Sequence, residues 1–243
     1  MIRIILLLLC FSGFARSEAP LRLYAGNTDI YCYQQAGQFS GIACALVEAL
    51  ARTQGIEPDI NMLPQGRMLI EGQKASHALL FPVARVPHRE KHFQWVVLLV
   101  EEAFLLVAPA GSTLPVNDID QLTDVSIGVL LGGLADQLLS QYQHLTLVRN
   151  HNESNLTQQL IKGRFKVWGG PWNVIYNGYR KAGKDAYQLT LGQVFQRTPI
   201  YIAASLDVSA ESIQSWQRAF DQLKATGQYE HILKRYDYQP PPK

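Results

Sequence analysis

The side chains able to do chemistry fall into a few groups. His88 and His92 stand four residues apart, a spacing that can put two imidazoles on one helix face, as a zinc site requires. The zinc-protease pattern needs Glu directly after the first His. Arg89 occupies that place, so His88-Arg89-Glu90-Lys91-His92 reads as a solvated basic turn. No Gly-rich phosphate loop, nucleophile elbow or paired-Cys zinc pattern occurs, and no cofactor is expected. Asn152-Glu153-Ser154 and Asn155-Leu156-Thr157 match glycosylation acceptors, which matter only in a eukaryotic secretory pathway. The most distinctive stretches are Leu63-Pro64-Gln65-Gly66-Arg67, then Leu80-Phe81-Pro82-Val83-Ala84-Arg85-Val86-Pro87-His88-Arg89-Glu90, then Phe93-Gln94-Trp95-Val96.

Composition excludes several classes. Of 243 residues, 47% are apolar and 17% charged, enough to build a packed core and too apolar for intrinsic disorder. No Lys/Arg block makes a nucleic-acid footprint. No internal run reaches about 18 apolar residues, so nothing after the N-terminus is expected to span a bilayer.

The N-terminus reads as a targeting segment. Arg3 begins it, Ile4 to Phe11 form an apolar stretch, and small residues follow at Ser12, Gly13, Ala15 and Ser17. That is the grammar of a signal peptide over residues 1–17, cleaved after Ser17 with Ala15 as the competing site. An uncleaved anchor is the alternative, but the stretch falls short of the ~18–20 residues a span needs. Cleavage takes away Arg3 and Arg16 and no acid, so the formal charge falls from +2 to 0. Net charge then gives no long-range steering of an anion. Two Cys remain, Cys32 and Cys44. In an exported chain they can form a disulfide; two buried thiols are the alternative.

Strand and helix patterns alternate along the chain. Leu21–Ala25 reads as a strand and residues 41–54 as a helix stopped by Gly55. Residues 58–63 read as a strand, a short helix follows Pro64, and His77–Val83 is a continuous apolar run. One or two strands are expected between Phe93 and Val107. Ala108-Pro109-Ala110-Gly111-Ser112 interrupts the pattern, and a second series begins. It has strands at 125–130, 145–148, 165–168 and 201–205, with helices at 134–142, 152–162, 171–182, 209–226 and 228–236. The tail 239–243 reads as frayed. This alternation argues for an α/β architecture with mainly parallel sheets and helices on both faces, in two lobes.

In this order the motifs resemble the family 3 extracellular solute-binding proteins, the polar amino-acid type of ABC importers, and more closely a divergent branch with "P-W-x-R" and "R-T-P-E-R-E" patterns. Tyr31-Cys32-Tyr33 with Gly37–Ile42 resembles the first-lobe loop and helix entry. Asp118–Leu122 with Ser126–Val129 resembles "DLKGKxVGV", and Leu160–Phe165 resembles "L-x-x-G-R-I-D". The resemblance covers residues 22–237. It implies a two-lobe periplasmic-binding-protein-like fold of type II with two hinge crossings near 107–110 and 199–202. Residues 18–108 and 203–243 would form lobe 1, and residues 109–202 lobe 2. The partners it implies are a small-molecule solute and an ABC permease in the inner membrane; the protein would be a periplasmic monomer that binds no nucleic acid.

The resemblance also implies a ligand set. Arg89 takes the place of the arginine that holds the ligand carboxylate, and a guanidinium suits that task because its planar fork donates two parallel hydrogen bonds. Arg85 is positioned to share or replace that role. Arg67 matches the branch's "P-W-x-R" arginine. Tyr31 stands where an aromatic lines the pocket, and Tyr24 and Trp168 are further cleft candidates. Gly132-Gly133 matches a second-lobe turn whose amides bind anions. Two departures matter. Ala84 and Val86 replace hydroxyl residues, and the place of the ammonium-binding carboxylate falls near Pro171, with Lys166 replacing the motif's Asp. A buried ammonium without an acceptor is costly, so the sequence points to an anionic or neutral solute in an Arg-rich, acid-poor cleft. The function expected is capture of a small carboxylate-bearing solute for an importer, without catalysis. The alternatives are an orphan sensory or binding module and a cyclic-acid dehydratase.

Overall fold

The structure is a computed structural model, and it describes residues 21–242. The proposed signal peptide, with its cleavage site, lies outside the described residues. No helix among the described residues is long and apolar enough to cross a membrane.

Eight strands form one curled sheet in the order β4-β1-β5-β10-β6-β9-β7-β8. One flank, β4 (Ile60–Pro64), β1 (Arg22–Asn27) and β5 (Ala78–Ala84), is parallel. The other flank, β9 (Val167–Pro171), β7 (Ser126–Leu130) and β8 (Thr146–Asn150), is parallel too. Between them run two antiparallel strands of 15 residues each, β6 (Gln94–Ala108) and β10 (Thr190–Ala204). β10 pairs with β5 from Ile200 onward, and β6 pairs with β9 from Phe104 onward. Each long strand therefore belongs to one flank at one end and to the other flank at the other end. This is the expected α/β fold with two lobes and two hinge crossings.

The period-2 rule explains how a lobe holds together. β5 is buried at every position. Leu79 and Phe81 join the cluster containing Ile42, Leu46 and Leu50 of α1 (Ile42–Thr53). Ala78 and Leu80 meet Met68 and Leu69 of α2 (Gln65–Lys74). A strand covered on both faces must read as an unbroken apolar run.

Three features differ from the sequence expectation. Residues 33–40 form a hairpin, β2 (Tyr33–Gln35) with β3 (Gln38–Ser40), closed by Ala36 and Gly37, both at positive φ. β10 begins at Thr190, well before the expected strand, because β6 supplies a partner along its whole length. The tail is not frayed. After α6 (Ala210–Ala225) and α7 (Gln228–Arg235) it lies against α5 (Trp172–Lys181). Gln239 N donates to Asn173 Oδ1 (2.7 Å), and Asn173 Nδ2 donates back to the Gln239 carbonyl (2.9 Å). Remaining helices relevant to the site are α3 (Leu134–Leu139) and α4 (Glu153–Ile161).

Candidate functional site

Arg89 is set by local backbone rules. Val86 is extended ahead of Pro87, as a residue before proline must be, and Pro87–Arg89 makes one 3-10 turn. The turn sends the side chain inward, where it is 4% exposed. Nη1 donates to the Ala84 carbonyl (3.0 Å), and Nη2 donates to Gln137 Oε1 (3.2 Å) on α3, across the gap between lobes. Two of its five N–H groups are thereby used. No acidic side chain among the described residues pairs with this guanidinium, and burial pulls its pKa down to about 10.

Tyr31 is fixed by the entry to α1. Its carbonyl accepts from Ala43 N (2.7 Å) and Cys44 N (3.2 Å). A Cβ on Gly41, which has φ +110°, would lie 2.5 Å from that carbonyl oxygen, so only glycine permits the approach. Cys32 and Cys44 are joined by a disulfide, with Cα atoms 5.1 Å apart. The Tyr31 hydroxyl donates to Glu102 Oε2, halfway along β6. Glu102 is 1% exposed and accepts further from Ala103 N (2.8 Å), Asn173 N (3.3 Å) and Asn173 Nδ2 (3.1 Å). Burial pushes its carboxyl up to about 7 against the pull of those donors.

Arg89, Tyr31, Trp168 and Gly133 line one cavity of about 60 Å³ between the lobes. Its walls are mostly apolar, with Phe104, Leu134 and Ile200 prominent, and Gln65 and Thr28 add polar atoms. Those two are already engaged. Thr28 Oγ1 donates to Gln65 Oε1 (3.1 Å), and Gln65 Nε2 donates to the Pro82 carbonyl (3.1 Å).

Other expected residues lie elsewhere. Arg85 does not line the cavity. It forms a bidentate pair with Glu90 (2.9 and 3.1 Å) and stacks between Trp95 and Tyr201, with its side chain 39% exposed. In place of a ligand carboxylate it finds one five residues on in its own chain. Arg67 sits on the exposed face of α2 beside Glu71 (3.8 Å), and Tyr24 faces the same outer groove. Gly132 and Gly133 form the expected turn, but their amides are used internally: Gly132 N donates to Asp136 Oδ2 (2.9 Å) and Gly133 N to the Leu130 carbonyl (3.1 Å). Among the described residues no cluster of three metal-ligating side chains forms, and His88 and His92 stay a turn.

One acid lines the cavity, a residue that the reading of an acid-poor cleft did not single out. Glu153, the first residue of α4, lines the cavity and is 5% exposed. Asn152 caps that helix by accepting from Asn155 N (3.0 Å). An acid in a first turn is ordinary helix chemistry, so nothing local distinguishes Glu153; only closure of the lobes brings it to the cavity.

The lobes are shut on one another. Asp29 N donates to Glu153 Oε2 (3.0 Å), and Ser154 Oγ donates to Asp29 Oδ2 (2.9 Å). Gly66 of α2 meets Gly132: a Cβ on Gly66 would stand 3.2 Å from the Gly132 Cα. Gly66→Val is therefore expected to prop the lobes apart. Overpacking of this kind costs about 1–3 kcal/mol, an affinity loss of roughly 5–150-fold. Small-angle scattering should show a larger radius of gyration than wild type at saturating solute; an unchanged radius would refute the wedge.

No family model and no curated protein sequence matches the chain. Solved structures do. A mutant of ArgBP from T. maritima superposes with TM-score 0.78 at 15% identity, covering 90% of this chain and 95% of that one. The amino acid ABC transporter substrate-binding protein AbpA from Streptococcus pneumoniae, bound to L-arginine, gives TM-score 0.74 at 18% identity, covering 89% and 94%. A histidine kinase sensor domain with similarity to periplasmic binding proteins gives 0.75 at 16%, covering 89% and 95%. At these identities the likeness is one of fold.

Proposed function

We propose that this chain is an exported, periplasmic solute-binding protein that closes its two lobes over a small carboxylate-bearing solute and presents the closed form to an ABC importer. The reading places lobe 1 at residues 18–108 and 203–243 and lobe 2 at residues 109–202, pivoting within β6 and β10, in a chain that works as a monomer. One observation carries it: a buried guanidinium, Arg89, has no acidic partner among the described residues and faces a mostly apolar cavity between the lobes. A buried charge wants a counter-charge, and a carboxylate fits the fork. Ligand then favours the closed state by its differential affinity alone. The fold shared with an ABC transporter substrate-binding protein supports the importer reading. The fold shared with a sensor domain favours a second one, in which the same closure is read by a receptor.

Calorimetric titration with acetate, propionate and butyrate, against methylamine and ethylamine, tests the shared core of both readings. Binding of at least one carboxylate and of neither amine is expected. Amine binding without carboxylate binding would refute the role of Arg89.

A further inference from the structure

Glu102 stands where the two long strands pass from one flank to the other. Along β6 it lies between Val100, opposite the Ile200 that pairs with β5, and Phe104, which pairs with β9. Its Oε2 accepts from two sides. The Tyr31 hydroxyl reaches it from the loop leading into α1, and Asn173 N and Nδ2 reach it from the first turn of α5. Oε1 accepts from Ala103 N. Four donors thus converge on a side chain that is 1% exposed, and no cationic side chain acts on it.

The groups facing this carboxyl are few. Its titratable neighbours are Tyr31 and, from the tail, Tyr238; burial pushes both phenols up, so both stay neutral between pH 5 and 8. β10 sets Thr198 opposite, and α5 presents Asn173, whose Oδ1 is taken by Gln239 N. Of the four bonding partners, only the Tyr31 oxygen can also accept. A protonated Glu102 therefore has one seat for its proton, on the tyrosine that lines the cavity.

Resting on the reading of two lobes that open and close, but not on the role of Arg89, we propose that Glu102 is a proton-operated clasp between the lobes: they shut with this carboxyl neutral and part with it charged, so that capture of solute takes up a proton here. Opening turns one flank against the other, and one oxygen cannot follow both Tyr31 and Asn173. Water replaces the donor that leaves. A hydrated carboxyl returns toward its ordinary 4.5, whereas the shut one, sealed from water, stands at about 7. Because the state with the higher pKa binds more protons, acid favours closure, and solute affinity falls as pH rises from 5 to 7. One such group changes affinity by at most about tenfold per pH unit.

The test compares the full wild-type chain with Glu102→Gln, which holds the neutral shape at every pH. Its first arm uses no solute. Small-angle scattering should show the wild type contracting between pH 8 and pH 5.5 by more than the variant does. The second arm titrates propionate at pH 6 in two buffers of different ionisation enthalpy. Proton uptake should be larger in wild type than in Glu102→Gln, by up to one proton. Equal contraction of the two proteins, or equal proton counts, overturns the clasp and leaves the role of Arg89 intact. If propionate does not bind, the role of Arg89 falls and the scattering alone decides on Glu102. Should Glu102→Gln fail to fold, Glu153→Gln, which removes the other raised carboxyl, must still contract in acid; a constant radius there overturns the proposal.

Discussion

Arg89→Met is expected to abolish carboxylate binding and, in the same variant, to raise the unfolding temperature. Losing one partner of a buried charged pair typically costs 2–5 kcal/mol, or roughly 30- to 4,000-fold in affinity. The stability gain follows from the ligand-free state. The guanidinium is 4% exposed, and burial lowers its pKa from 12.5 to about 10. At about 1.4 kcal/mol per unit, carrying that charge inside costs on the order of 3 kcal/mol. Methionine removes the cost but leaves the Ala84 carbonyl without its donor, a loss of about 1–2 kcal/mol. The net is a gain near 1–2 kcal/mol, a few degrees in a chain of this size. Titration with the carboxylate panel and thermal unfolding without ligand read both effects. Affinity retained within threefold would remove Arg89 from the site; an unfolding temperature lowered by several degrees would show a structural role instead.

The second large effect is on stability against pH. Glu102 rises from its ordinary 4.5 to about 7 and Glu153 to about 8, both because burial disfavours the charge. A carboxyl with a raised folded-state pKa leaves the native chain holding more protons than the unfolded one. Its contribution is therefore complete below pH 4.5, declines as pH rises, and is gone above its folded pKa. The free energy of unfolding should fall by several kcal/mol between pH 5 and pH 9, at up to about 1.4 kcal/mol per unit for each group. On the acid side, Arg85 holds Glu90 below its usual range and Ser205 holds Asp207 there, so stability also drops at low pH. An optimum near pH 5 results. Urea unfolding of the ligand-free protein checks it. Glu102→Gln should flatten the slope between pH 5 and 7 only, and Glu153→Gln should flatten it up to pH 8. A flat profile in wild type would refute both assignments.

Glu102 was legible in principle. Glu101 and Glu102 are adjacent on a strand, and neighbours on a strand face opposite ways, so one of the two had to turn inward. Glu101 is exposed and Glu102 buried. The alternation of elements, the covered strand β5 and the break after Ala108 were legible for the same reason: each is a local pattern of period 2 or 3.6. Of the arginines, Arg89 took the place of the ligand-holding one by resemblance, with Arg85 four residues earlier, across Pro87, able to share or replace it. What separates them is tertiary. Glu90, Trp95 and Tyr201 engage one at the surface, and Gln137 reaches the other from the opposite lobe. Glu153 was out of reach for that reason too, since its neighbour Asp29 lies 124 residues away along the chain.

The tail changes what kind of joint this is. It leaves α7, which packs on α1, and runs against α5, where Gln239 and Asn173 exchange two hydrogen bonds. Together with β6 and β10, the tail is thus a third segment that ties the two sides of the molecule among the described residues. Two parallel pins allow torsion about their common direction, and a third tie anchored beside them is expected to resist it.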